Sequence, residues 1–159
     1  MTALWEQTTT AGRFGNVVQL PNNTRAVVPP AHQNWSHMIV TRLEHLTALP
    51  RGWDGYNAGP VRFGTASFAL NLLQRVCPAD GEAPAIVPGA RGDLQIEWHS
   101  DDTDIELHVL APYRVRAWRC GPMTPEDGEE FELTSDFTRV REWVQSFAES
   151  AVAANAAAA

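Results

Sequence analysis

The sequence contains no lysine, only two cysteines and no long apolar run. Cys77 and Cys120 cannot form the set of disulfides on which small secreted domains depend, so we expect reduced thiols and a cytoplasmic protein. No stretch approaches the roughly 18 apolar residues that cross a bilayer. The first residues also lack the basic and apolar parts of a signal peptide. We therefore expect neither export nor a membrane partner.

The twelve basic residues are all arginine, and acids balance them unevenly along the chain. Up to Ala79 the chain has six arginines and three acids, whereas the remainder has six arginines and sixteen acids. The net charge of −7 is therefore a balance of +3 followed by one of −10. An acidic surface attracts basic partners and repels phosphate backbones. This pattern favours a basic protein as the partner and disfavours direct binding of nucleic acid.

Catalytic and cofactor motifs are also missing. The sequence has no Walker-type loop, no Gly-x-Gly-x-x-Gly, no Gly-x-Ser-x-Gly, no His-Glu-x-x-His and no Cys-x-x-Cys. Each of these motifs holds a phosphate, a nucleophile or a metal in a defined geometry. We therefore expect no cofactor and no metal site, and a binding module is favoured over an enzyme.

What the chain does contain is enough apolar sequence for one folded domain. Hydrophobic residues make up 44% of its 159 residues, which is close to the globular average. We divide the chain into an N-terminal segment 1–30, a single α+β domain 31–150 and an alanine-rich tail 151–159. In the first segment, 16–20 and 25–28 favour strands on either side of the turn sequence 21–24, which predicts a hairpin.

Apolar residues at spacings of three and four predict three helices, over 33–48, over 65–77 and after Ser135. Ser135 is the expected N-cap of the last helix, with Asp136 in its first turn. The alanine-rich tail can extend that helix, but it has no large side chain to bury, so we expect it to fray. The apolar face of the first helix is predicted to consist of Trp35, Met38, Ile39, Leu43, Leu46 and Leu49.

Between 85 and 133 the apolar period changes to two. This alternation predicts a four-stranded antiparallel meander, with strands around 93–99, 104–110, 113–117 and from 131, and with the helices packed on one face. In the first of these strands Trp98 should be buried and Glu97 exposed, because a shift of one residue would exchange the two faces.

The outer face of this meander is the one place where side chains could meet for chemistry, within about 5 Å of one another. They could bind a divalent metal or pair an acid with a base. The favoured interpretation is a solvated lattice of ion pairs with Arg114 and Arg116, because exposed ion pairs are common and need no function. The side chains concerned are those of Glu97, His99, Asp104, Glu106 and His108.

The segment Gly52–Ala58 is the most distinctive local sequence. Trp53 and Tyr56 could be buried as a plug, with Asp54 bonding backbone amides in a turn that Gly52 and Gly55 permit. They could instead be exposed anchors for a partner. The plug is favoured, and it predicts a loss of about 3 to 5 kcal/mol for Trp53→Ala.

This segment also carries a resemblance to a known group of sequences. A Gly-Trp-Asp-Gly-Tyr-x-Ala turn between two helices, followed by a strand containing Glu-Trp-His, resembles a group of small bacterial proteins. The matching parts are 52–58, 65–77 and 94–99, roughly half the chain, with Asn57 where that group more often has glycine. The resemblance implies an accessory protein of a small operon, in a toxin–antitoxin or defence setting, and it assigns no catalytic residue.

These observations favour a non-catalytic module that binds a protein, in particular an acidic antitoxin or immunity-type partner of a basic toxin or effector. That partner could be encoded nearby. The alternative is a small metal-dependent or acid/base hydrolase that uses the outer sheet face, and a mimic of nucleic acid is a third possibility. The residues expected to bind the partner are the carboxylates Asp101, Asp102, Glu126, Asp127, Glu129 and Glu130, with Trp53 and Tyr56.

Overall fold

The computed structural model describes residues 34–157, together with the backbone of 17–19 and 25–27. Its five-stranded antiparallel sheet has the strands in chain order: β3 (Ala85–Pro88), β4 (Leu94–His99), β5 (Asp104–Ala111), β6 (Arg114–Cys120) and β7 (Glu129–Leu133). The helices are α1 (Ser36–Thr47), α2 (Phe63–Val76) and α3 (Thr138–Ala157). Two short strands, β1 (Val17–Gln19) and β2 (Arg25–Val27), pair with each other in an antiparallel sense. The predicted turn 21–24 lies outside the described residues.

The α+β class is confirmed, and the core lies between one face of the sheet and the helices. On β4 and β5, burial alternates along the strand as the period of two predicts. Trp98 is buried as expected, with 4% of its surface exposed, and the neighbouring Glu97 points to the other face and is partly exposed. The register of the central strands therefore agrees with the sequence-based prediction. The sheet residues of the core are Ile86, Leu94, Ile96, Trp98, Ile105, Leu107, Val109, Val115, Ala117 and Leu133.

The sheet has five strands rather than the predicted four, because β3 was not expected. Ile86 is the one buried residue among its four, so the alternation is too short to stand out in the sequence. Pro88 ends the strand at the edge of the sheet, where a residue without an N–H group is tolerated. From α1, Arg42 Nε donates a hydrogen bond to the Ile86 carbonyl, 3.0 Å away.

Two details of the helices also differ from the predictions. Met38 was expected on the buried face of α1 but is 62% exposed, and Val40 is buried instead. In the last helix Asp136 performs the capping role expected of Ser135, since its Oδ1 accepts a hydrogen bond from the Thr138 amide at 3.0 Å. A hydrogen bond from the Thr138 side chain, followed by the one from its amide, lowers the pKa of Asp136. The alanine-rich segment continues α3 as far as Ala157.

Candidate functional site

The residues predicted to bind a partner lie at two opposite ends of the sheet. The β4–β5 turn and the β6–β7 loop, which hold the predicted carboxylates, are at one end. The loop that contains Trp53 and Tyr56 is at the other end, where Gly59 N donates to Ala90 O in the β3–β4 turn. The six residues of β4 separate the two ends, a distance of roughly 20 Å. The fold therefore does not bring these residues together into one surface.

Four exposed carboxylates, of Asp101, Asp102, Glu126 and Asp127, form what we term the acidic end. In the β4–β5 turn, Ser100 N donates to Thr103 O and Ser100 Oγ accepts from Thr103 N, each at 3.0 Å. The Asp102 carboxylate accepts hydrogen bonds from the hydroxyls of Ser100 and Thr103. None of the four carboxylates pairs with an arginine among the described residues.

The β6–β7 loop is closed by its own hydrogen bonds. Thr124 Oγ1 accepts from Gly121 N at 2.9 Å, and Gly128 N donates to Pro125 O at 2.8 Å. Gly121 packs against the β4–β5 turn, since a Cβ atom built on it would lie 3.1 Å from Thr103 Oγ1. Met123 projects from this loop with 92% of its surface exposed. The acidic end is thus made of two touching turns, and the exposed Met123 lies in the same loop as two of its carboxylates.

Glu129 and Glu130 do not belong to this surface, although the sequence placed them with the other acids. Glu129 faces the helices and pairs with two arginines. Its Oε1 lies 2.9 Å from Arg119 Nη2, and its Oε2 lies 2.9 Å from Arg139 Nη2. Glu130 lies on the outer face with Arg116, at 3.5 Å. These arginines are distant from the two glutamates in sequence and are brought to them by strand pairing and by α3. Both glutamates are therefore neutralised within the domain.

The loop 52–59 has the internal bonding that was predicted, but it does not bury both rings. Asp54 Oδ1 accepts hydrogen bonds from Tyr56 N at 2.9 Å and from Ala58 N at 3.1 Å, and these bonds lower the pKa of Asp54. Trp53 is half-buried, and its Nε1 donates to Gly59 O at 2.9 Å. Tyr56 is 91% exposed. The plug interpretation is therefore wrong for Tyr56, because the bonded turn directs its ring to solvent.

The outer face carries the side chains that were expected there, and His99 lies between two carboxylates. Its Nδ1 is 2.8 Å from Asp104 Oδ1 and its Nε2 is 3.2 Å from Glu97 Oε2. The bond to Asp104, followed by that to Glu97, raises the pKa of His99. With a carboxylate at each ring nitrogen, the imidazole donates two hydrogen bonds when it is protonated and then has no lone pair to act as a base. This half of the face is an ion-pair network.

A second histidine on the outer face is held by an acid that sequence reasoning overlooked. His108 Nε2 lies 2.5 Å from Asp93 Oδ2, and Asp93 Oδ1 accepts from Arg91 N at 3.0 Å. Burial alone would raise the pKa of Asp93, but the hydrogen bonds from His108 and from backbone amides outweigh burial and lower it. The signal in the sequence was an aspartate directly after Gly92 in a turn, a position that favours bonding to nearby amides. His108 lines a shallow depression with Gln95, Glu106, Arg116, Trp118 and Glu130.

Neither a metal centre nor a membrane-spanning helix is found in the part of the chain that the structure describes. No group of three or more His, Cys, Asp or Glu side chains there is arranged to hold a metal ion. None of the described helices has the length and apolarity to cross a membrane. Comparison with protein-family models, with curated proteins and with solved structures gives no match.

Proposed function

We propose that this protein is a non-catalytic module that binds a basic protein through its acidic end. The observation that carries the proposal is the set of four exposed carboxylates, without arginine partners among the described residues, around the exposed Met123. Charged groups on a rim steer the encounter of two proteins, and a central apolar side chain adds buried area in the complex. A cleft lined by lysine or arginine is the complementary surface.

The hydrogen bonds within both turns support this proposal. Because Ser100 and Thr124 fix the two turns, little conformational entropy should be lost when a partner binds. Long exposed acids elsewhere on the chain, such as Glu142 and Glu149 on α3, would lose more rotamer freedom on binding. The acidic end is therefore preorganised for a protein partner, in contrast to a solvated helix surface.

Within this proposal, the partner is a cytoplasmic basic toxin or effector, and the protein acts as its antitoxin or immunity-type inhibitor. The basic clefts of enzymes that act on nucleic acids would be occupied by the acidic end, which would exclude the substrate by charge and by volume. The resemblance of 52–58 and 94–99 to small operon-encoded bacterial proteins supports a partner encoded nearby.

Isolation of the protein from its native host tests the proposal. We expect a stoichiometric basic protein to co-elute, with an association rate that falls as salt is raised from about 20 mM to about 300 mM. Neutralising the four carboxylates (Asp101→Asn, Asp102→Asn, Glu126→Gln, Asp127→Asn) should lower that rate at least about tenfold, without a change in unfolding. A monomer without any stoichiometric partner would contradict the proposal.

A control changes charge elsewhere. The exposed acids Glu44, Glu132 and Glu142 lie on α1, on β7 and in the first half of α3, away from the two turns of the acidic end, so their neutralisation should alter the rate far less per charge removed. Equal effects from the two sets of substitutions would show that net charge, and not this surface, governs binding. Met123→Ser should increase the dissociation rate and leave the salt dependence unchanged.

A second candidate function, a small acid/base hydrolase, is favoured by the Asp93–His108 pair. A carboxylate that holds one ring nitrogen fixes the tautomer, so the other nitrogen can accept a proton. In this chain that nitrogen would act toward the depression lined by Glu106 and Arg116. Hydrolysis of chromogenic phosphodiester or ester substrates that is lost in His108→Gln would establish this function. Equal rates for the parent and His108→Gln would reject it.

A further inference from the structure

The end of the sheet opposite the acidic end carries arginines without carboxylate partners. Arg51, Arg62 and Arg91 are exposed, and none of them forms an ion pair with a described residue. Arg51 directly precedes the loop 52–59 and Arg91 lies in the β3–β4 turn. Arg62 contacts that turn, since its Nη2 donates to Arg91 O. We term these three arginines together with Tyr56 the arginine end.

The acids that lie nearest in sequence to this end are already engaged. The Asp54 carboxylate accepts hydrogen bonds from the amides of Tyr56 and Ala58. The Asp93 carboxylate accepts a hydrogen bond from the Arg91 amide and is hydrogen-bonded to His108. It also packs against the β3–β4 turn, since a Cβ atom built on Gly89 would overlap it. Both carboxylates keep their negative charge, but they are held in place by these bonds. The guanidinium groups of Arg51, Arg62 and Arg91 form no ion pair with a described residue, so they can bind an external anion.

Tyr56 adds a specific contact surface beside these charges. Its ring is 91% exposed, although the loop beneath it is tightly bonded. Gly52 N donates to Ala58 O at 2.7 Å, Gly55 N donates to Gly52 O at 2.9 Å, and both glycines have the positive φ angles that the turn requires. An aromatic ring on a preorganised loop is a favourable anchor, because few degrees of freedom are lost when it is covered.

We infer that the arginine end is a second binding surface, which recognises a short acidic segment of another protein. Guanidinium groups bind carboxylates in bidentate fashion, and the tyrosine ring can cover an apolar side chain in the same segment. The surface is small, because it consists of one loop, one turn and the adjoining Arg62, so a short acidic segment matches its extent. An extended phosphate backbone would also run over the rest of a chain whose net charge is −7, and that repulsion would oppose its binding.

The test uses the full chain with two probes of similar charge, a fluorescent decaglutamate peptide and a decathymidylate oligonucleotide. At about 20 mM salt we expect saturable binding of the peptide, with amide NMR shifts confined to 51–62 and 89–93. Arg51→Gln combined with Arg91→Gln should weaken this binding roughly tenfold or more, and Tyr56→Ser should weaken it several-fold. Absence of peptide binding, or binding of the oligonucleotide alone, would overturn the inference.

The side chains chosen for substitution make the result interpretable. The side chains of Arg51 and Arg91 form no hydrogen bond with described residues, and the Arg91 contacts are made by its backbone. Their substitution should therefore leave the fold intact. Arg75→Gln with Arg141→Gln, on α2 and α3, removes equal charge elsewhere and should leave peptide affinity unchanged; an equal loss would also overturn the inference. Neutralising the acidic end should preserve or tighten peptide binding, so this surface can fail independently of the proposed function.

Discussion

At the arginine end carboxylates accept hydrogen bonds from backbone amides of the turns, whereas at the acidic end hydroxyl groups accept the amide bonds and the Asp102 carboxylate accepts only from hydroxyl groups. Asp54 and Asp93 hold backbone amides around the loop 52–59 and the β3–β4 turn. In the corresponding turns of the acidic end the acceptors are Ser100 Oγ and Thr124 Oγ1. The charged groups exposed at each end therefore depend on two things. One is which residues the sequence places there, and the other is which side chains accept the amide hydrogen bonds of the turns.

The uneven distribution of charged residues along the chain allows a protein of net charge −7 to present exposed arginines at one end. Six arginines and three acids precede Ala79, and the structure shows that one of those three, Asp54, is bonded to its own loop. At the other end the acceptors of backbone amides are the neutral hydroxyl groups of Ser100 and Thr124, and the acids are exposed. The two proposed binding surfaces therefore present side chains of opposite charge, and the following substitutions test how each end is built.

The largest expected effect distinguishes the two tryptophans that lie near these ends. Trp98, next to the β4–β5 turn, is in the core, so Trp98→Ala should lower the free energy of unfolding by about 3 to 5 kcal/mol. Trp53 is half-buried and lies outside the core, so Trp53→Ala should cost about 1 to 2 kcal/mol, lower than the sequence alone predicted. Urea unfolding followed by circular dichroism measures both values. Equal losses would mean that the loop 52–59 is as firmly packed as the sheet.

A smaller effect should separate two glycines that both have positive φ angles. At Gly128, in the acidic-end loop, a Cβ atom would lie 2.7 Å from the Arg119 carbonyl oxygen, whereas at Gly55 it would meet nothing within 4 Å. Gly128→Ala should therefore cost about 2 to 3 kcal/mol from strain and overlap, and Gly55→Ala about 1 kcal/mol from strain alone. Thermal unfolding of both variants tests this order. The reverse order would show that the β6–β7 loop adapts more readily than its bonding indicates.

Some of this contrast could be predicted from the sequence, and some could not. Alternation over 94–109 fixed the register, because a period of two assigns every side chain to a face, and Trp98 was placed correctly. The strand β3 was missed because one buried residue does not make a pattern. Without β3, the β3–β4 turn and its contact with the loop 52–59 could not be recognised. For the same reason the sequence did not indicate a functional role for Arg91, or for Asp93 beyond the start of a predicted strand.

The candidate site was harder to predict, because solvent exposure within a turn depends on hydrogen bonds that the sequence does not specify. Trp53 and Tyr56 both lie between glycines, and either ring could have been buried. Glu129 and Asp127 are two residues apart, yet Arg119 and Arg139 pair with Glu129 and leave Asp127 exposed. Such pairings depend on where α3 lies on the sheet, which local patterns do not reveal.

A pH titration should detect the network of His99 next to the acidic end. The pKa of His99 is raised in the folded state, so its stabilising contribution is fully present below the unfolded pKa. That contribution is lost as the pH rises through the folded pKa. The effect should remain below about 1 kcal/mol, because the imidazole is largely exposed. His99→Gln should remove this pH dependence above the ordinary histidine pKa of about 6.5; an unchanged profile would mean that Glu97 and Asp104 do not hold the imidazolium.

The smallest expected effect is local and lies at the arginine end, where the pKa of Asp54 is lowered. Its hydrogen bonds to the Tyr56 and Ala58 amides contribute fully above the unfolded pKa and are lost as the pH falls through the lower, folded pKa. In the Asp54→Asn variant these two amide hydrogens should therefore exchange with solvent faster than in the parent protein. At neutral pH we expect the rate to rise roughly threefold to tenfold, as for a weakened hydrogen bond. The exchange of amides in the β4–β5 turn serves as the control and should not change. If Asp54→Asn also leaves the exchange of Tyr56 and Ala58 unchanged, the carboxylate is dispensable for the loop. It could then form an ion pair with Arg51, and Arg51 would not be available to an external partner.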